Sequence, residues 1–176
     1  MLKKISFIFL VFMMTSAFCV IVVYGAENSA TNTSGKAYHN QKGLDHFKKG
    51  FYDLTPKKQK EEASTEYGLA IQEFNKALAV DPDYAAAHRN LARVYYVQKK
   101  FLQSAKHYKK LTELNPTDVD SYLYAASAYE KAKKYDEAIE QLEVAKSQTT
   151  SSEIIDKLDS YIEKIEQRRQ KGEHRE

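Results

Sequence analysis

The chain repeats itself with a period of 34 residues, and few folds can satisfy such a period. Pro82 and Pro116 stand one period apart, each behind Asp81 or Asn115. Twelve residues before each proline lies a small residue, Ala70 or Ser104, and the same offset in the next unit gives Ala138. Four further on come Phe74, Tyr108 and Leu142, then Ala77, Leu111 and Ala145. Tyr67, Phe101 and Tyr135 precede the small position by three. In the preceding segments Leu91 and Ala92 match Ala125 and Ala126, and Tyr95 matches Tyr129. A period of 20–50 residues signals stacked supersecondary units.

Each unit holds two segments of helix length with apolar residues at helical spacing. Ala70, Ala92, Ala126 and Ala138 let paired helices approach closely, whereas Tyr95 and Tyr129 fill the space between units and are read as core. Pro82 and Pro116 cannot continue a helix and mark the handover between units. One unit cannot bury its apolar face alone, and about three are the minimum for a continuous core.

This series resembles the tetratricopeptide repeat, with Ala70, Phe74, Ala77 and Pro82 as a full match. The fourth position carries His39, His88 and Tyr122 rather than the family's Trp, and Thr150 stands where a third proline is expected. The resemblance covers roughly residues 36–150. It implies an all-α fold: a short right-handed α-solenoid of three helix pairs over 36–82, 83–116 and 117–150.

The first unit departs from the period by a 15-residue insertion at 51–65. Gly43 and Gly50 fit its first helix and the turn after it. Thr55 and Pro56 read as N-cap and first helical residue, so the second helix is expected to start near Pro56 and project beyond the array. Phe51, Tyr52 and Leu54 offer a second contact surface there. At the other end, Thr150 and Glu153 form a capping box opening a helix over 151–170. Its stripe of Ile154, Ile155, Leu158, Tyr161, Ile162 and Ile165 suits a cap on the last unit or a dimerising face. The tail, 171–176, is charged.

Lys3 and Lys4 followed by an uncharged run from Ile5 to Tyr24 make residues 1–26 an export leader. Val23 and Gly25 suit cleavage after Gly25, while a run of that length also suits a retained signal-anchor helix. Either reading places the body outside the cytoplasm, periplasmic or secreted, or tethered to the membrane by residues 5–24. Cys19, the single cysteine, lies in the leader, so the body holds no disulfide or thiolate metal site. Residues 27–35 read as a flexible linker, within which Asn32-Thr33-Ser34 matches a glycosylation acceptor.

Two of the three net positive charges belong to the leader. A nearly neutral body lacks the concentrated basic face of a nucleic-acid binder. The five histidines, His39, His46, His88, His107 and His174, show no metal-ligand spacing, and no phosphate loop or nucleophile elbow is present. No cofactor, metal or catalytic site is expected. The resemblance instead implies a concave groove lined by the first helices. Its positions here are Asn40, Gln41, Leu44 and Phe47, then Arg89, Asn90, Arg93 and Tyr96, then Leu123, Tyr124, Ser127 and Glu130. Arg89 and Arg93 lie one turn apart and, with Asn90, suit a peptide backbone or a carboxylate. Some relatives hold an acidic carboxy-terminal peptide with Lys, Asn and Arg; here Asn40 stands at the place of a Lys, so that set is incomplete. The expected function is a protein–protein adaptor that binds a peptide or helix, with self-assembly through the terminal helix as the alternative.

Overall fold

The computed structural model describes residues 35–173. The leader with Cys19, the Asn32-Thr33-Ser34 tripeptide and the last three residues lie outside that range. Among the described residues every regular element is helical, and no helix is long and apolar enough to cross a membrane. Helix α1 spans 35–48, so Gly35 opens it rather than closing a linker. It is followed by α2 (Lys60–Val80), α3 (Ala85–Val97), α4 (Phe101–Leu114), α5 (Val119–Lys131), α6 (Tyr135–Ser147) and α7 (Ser152–Glu173).

The pairs α1/α2, α3/α4 and α5/α6 turn by one device. Lys58, Lys99 and Lys133 each take a φ near +60°. The next residue's N–H then bonds five residues back: Gln59 to Leu54 at 3.1 Å, Lys100 to Tyr95 at 2.8 Å and Lys134 to Tyr129 at 2.9 Å. This left-handed reversal caps otherwise unpaired carbonyls at the helix end.

The expected helix start near Pro56 is corrected. α1 runs on through a π-helical stretch, Lys49–Leu54, and α2 begins at Lys60. Thr55 does not cap α2. Its hydroxyl donates backward to the Gly50 carbonyl at 2.8 Å and meets the Tyr67 hydroxyl at 2.9 Å. Pro56 therefore sits in the turn before Lys58. The insertion lengthens both helices instead of forming one projecting helix. α1 gains 6 residues, and α2 starts well before Tyr67, whose counterparts Phe101 and Tyr135 open α4 and α6. Each gain amounts to nearly two turns.

Gly50 accordingly lies within the helical stretch, not in a turn, where a Cβ would come 2.8 Å from the Tyr67 ring. Gly43 meets Phe74 in the same way at 2.7 Å. Between the two helices run two carboxylate clusters. Buried Glu73 takes His39 at 2.7 Å, Lys76 at 2.8 Å and Lys42 at 3.4 Å. Buried Glu66 takes His46 at 2.7 Å and Lys49 at 2.5 Å. The Lys76 bond, with those of His39 and Lys42, overcomes burial and holds the Glu73 carboxyl down at about 2.

The core falls into three clusters set in series along the array. Phe47, Tyr67, Phe74, Leu91 and Val94 pack the first hairpin onto α3. Tyr108, Leu111, Ala92 and Ala125 join the second unit to the third. Leu142, Leu158, Ile162 and Ile165 seat α7 on the last pair. Tyr95 and Tyr129 pack against these clusters as half-buried residues. α7 buries Leu158, Ile162 and Ile165 against its own array, with Ile154 and Tyr161 packed beside them. Its start differs from the expected capping box. The Ile155 N–H bonds the Ser151 carbonyl, and Glu153 pairs forward with Lys157 at 2.6 Å. It also runs to Glu173, past the expected end at 170.

His88 and His107 meet across the α3–α4 seam, Nδ1 to Nδ1 at 3.0 Å. His88 Nε2–H donates to the Pro82 carbonyl at 2.9 Å, so its Nδ1 accepts and His107 donates. Tyr95 stacks on the His107 ring at 5.6 Å. Burial, with His88 alongside, pushes His107 down to about 4 from its ordinary 6.5.

Two predictions follow from this packing. Gly43→Ala lowers stability by about 1–3 kcal/mol through overpacking. Gly68→Ala, with nothing within 4 Å of the new Cβ, raises it by up to about 1 kcal/mol through helix propensity; urea melts separate the two signs. Between pH 6.5 and 4 the unfolded chain binds a proton at His107 that the folded chain refuses. Stability is therefore full above pH 6.5 and falls as pH drops, by about 1 kcal/mol between pH 7 and 5 once solvent screening of this partly exposed ring is counted. Urea melts at both pH values should show His107→Asn losing most of that slope.

Candidate peptide-binding groove

The odd-numbered helices α1, α3 and α5 lie side by side along one face of the array. Side chains four apart on α3, such as Arg89 and Arg93, point the same way. A cavity of about 320 Å³ opens on this face, lined by Phe47, Phe51, Arg93, Tyr96, Val97, Tyr108, Tyr124 and Ser127. Five of the residues expected in the groove thus converge: Phe47, Arg93, Tyr96, Tyr124 and Ser127.

Aromatic contacts fix the walls. Phe47 is buried and stacks on Phe51 at 5.7 Å. Tyr108 is buried and stacks on the exposed Tyr124 at 5.2 Å. Tyr96 packs edge-on against Phe101 at 5.3 Å, and its hydroxyl lies 3.5 Å from Ser127 Oγ. The Arg93 guanidinium sits over the Phe47 ring at 5.4 Å, a placement that favours a cation. Burial pushes the Tyr108 phenol up to about 12 despite Arg93 and Arg89 nearby. It stays protonated and uncharged at the cavity wall.

The other expected residues do not line it. Asn90 donates to Asn40 at 3.0 Å, tying α3 to α1. Leu44 packs into the first core cluster, and Leu123 into that of the last pair. Gln41 bonds Asp45 on its own helix. Arg89 lies 3.9 Å from Asp118, so the two arginines do not act as a matched pair with Asn90. Glu130 is buried under α7, where Tyr161 donates to it at 2.8 Å and Arg168 pairs with its other oxygen.

Sequence reasoning missed Val97 and Tyr108 and set Phe51 on a separate contact surface. Tyr108 reads as part of the repeat's packing series, Val97 closes α3, and Phe51 belongs to the insertion. The cavity instead takes in Phe51 beside Phe47. No group of three or more His, Cys, Asp or Glu side chains that could hold a metal ion converges among the described residues.

Three family profiles match the chain: a TPR repeat over 63–99 and tetratricopeptide repeats over 85–118 and 107–140. Protein unc-45 homolog B of Xenopus tropicalis is 31% identical over 83 residues, which are 46% of this chain and 9% of that protein. The chain thus spans under a tenth of that relative's length. Among solved structures, the Arabidopsis OM64 TPR domain aligns with a TM-score of 0.54 at 16% identity, covering 76% of this chain and 98% of that domain. The second TPR domain of human RPAP3, in complex with HSP70 peptide SGPTIEEVD, aligns with a TM-score of 0.52 at 17% identity, covering 75% and 98%. Repeat profiles and helix pairing agree: residues 63–140 of the chain are tetratricopeptide repeats.

Proposed function

We propose that this protein is an interaction scaffold that works outside the cytoplasm and holds a peptide or helix of another protein in the groove of α1, α3 and α5. The observation that carries this reading is the aromatic cavity with the exposed Arg93 guanidinium at its mouth. A solvent-facing cavity with apolar walls and a few placed polar groups is the ordinary form of a recognition site. A fold relative in complex with an HSP70 peptide, the second TPR domain of human RPAP3, supports the same use of the scaffold. Tetratricopeptide arrays are typically non-enzymatic interaction modules, and we assign no catalytic activity, cofactor or metal here.

The leader supports the location. Two lysines and a long uncharged run direct the body across a membrane whether or not the run is later removed. Envelope assembly or secretion is the setting in which a tethered or released scaffold of this kind would serve. Self-assembly through α7 is the weaker reading, because its apolar stripe is buried within one chain.

The test is capture of partners by residues 27–176 against an Arg89→Glu, Arg93→Glu double variant. Both arginines are exposed, so the variant should melt within a few degrees of the parent while its partner recovery falls at least tenfold. Equal recovery of the same partners by a folded variant would remove the groove assignment.

A further inference from the structure

The insertion and the groove are one surface. Phe51, from the π-helical stretch that the insertion creates, forms the cavity wall beside Phe47, and Tyr52 braces it edge-on at 5.0 Å. A first unit of regular length would end α1 before this residue and leave the cavity open on that side. Tyr108 and Tyr124 form the opposite wall. The volume, about 320 Å³, lies at the small end of ligand pockets. It suits one large side chain and excludes a folded element.

The charges around the mouth narrow the partner further. Arg93 is exposed and makes no ion pair among the described residues, its contact being the Phe47 ring. Glu130, the acid among the groove positions, is already neutralised by Arg168 and Tyr161. Asn40 and Asn90 bond each other, so no second polar clamp flanks the arginine. The mouth therefore presents one unsatisfied cation beside an aromatic hole.

We propose that the insertion-built cavity receives a single bulky apolar side chain, aromatic by preference, from an internal segment of the partner, and that Arg93 pairs with one acidic side chain next to it. This rests on the groove reading above and adds to it the chemistry of the bound segment. An aromatic ring seated between Phe51 and Tyr124 buries its faces against two others. A carboxylate over Arg93 forms a charge-assisted bond that the free protein lacks.

The test uses the full chain in mild detergent and a labelled pentapeptide blocked at both ends, Gly-Asp-Phe-Asp-Gly, followed by fluorescence anisotropy. Replacing the Phe by Ala, or both Asp by Lys, is expected to weaken binding by about tenfold or more. Phe51→Ala should erase the preference for Phe over Ala, and Arg93→Gln the preference for Asp over Lys. Leu102→Ala, at an exposed residue of α4, should change neither. Circular dichroism checks that each variant is folded. Equal affinity for the Phe and Ala peptides, or no binding of any peptide, overturns the proposal. If partner capture in the preceding experiment still depends on Arg89 and Arg93 while the peptides fail, the pocket chemistry falls and the groove reading stands. If both fail, both fall.

Discussion

Close approach of paired helices through residues with little or no side chain is the constraint on which the rest of the structure rests. Ala70, Ser104 and Ala138 are wholly buried one period apart, as are Ala92 and Ala126. Each is fully enclosed, so a larger side chain would have to displace its neighbours. In the irregular first unit glycine takes the same part, with Gly43 against Phe74 and Gly50 against Tyr67. This tight spacing brings the large residues of adjacent helices into register, so that Phe74, Leu91 and Leu142 are fully enclosed. It also leaves α1, α3 and α5 side by side with one face uncovered, and the groove is a by-product of that spacing.

The reversal after each pair is held by backbone geometry more than by residue choice. Lysine adopts the left-handed conformation at all three turns, where glycine would be the easier occupant. In the first unit this same reversal is reached later along α1, and the added residues wind into both helices. A lengthened hairpin keeps its hydrogen bonds internal and its register intact. The extra turns carry Phe51 up beside the cavity, and the added length thereby becomes part of the recognition face. At the far end α7 covers the last apolar face and takes Glu130 out of the groove.

Much of this was legible from the sequence. The period located the pairs, and residue size along it marked Ala70, Ala92, Ala126 and Ala138 as close-contact positions, all wholly buried, whereas Tyr95 and Tyr129, read as core, are half-buried at its edge. The resemblance to the repeat family brought Phe47, Arg93, Tyr96, Tyr124 and Ser127 to one face. What escaped depends on partners far along the chain. Thr55 reads as an N-cap, yet its hydroxyl finds Gly50 and Tyr67. Asn40 and Asn90 read as peptide ligands, yet each satisfies the other across 50 residues. Glu130 reads as a groove acid until Arg168, on a helix outside the repeats, neutralises it. Tyr108 reads as pure packing until its stacking on Tyr124 shows it at the cavity floor. Local pattern sets each helix, whereas these pairings are settled only when the helices meet.

Side-chain protection in a bound complex tests the central claim, that partners are held on the face of α1, α3 and α5. Hydroxyl-radical footprinting, which reads the exposure of individual side chains, would be run on the chain alone and on the chain with a captured partner. The account predicts protection of Phe51, Tyr96 and Tyr124, with Leu69 on α2, Leu102 on α4 and Val144 on α6 unchanged although all three are exposed. Protection of Leu69, Leu102 and Val144 with Phe51 and Tyr124 still reactive would contradict it.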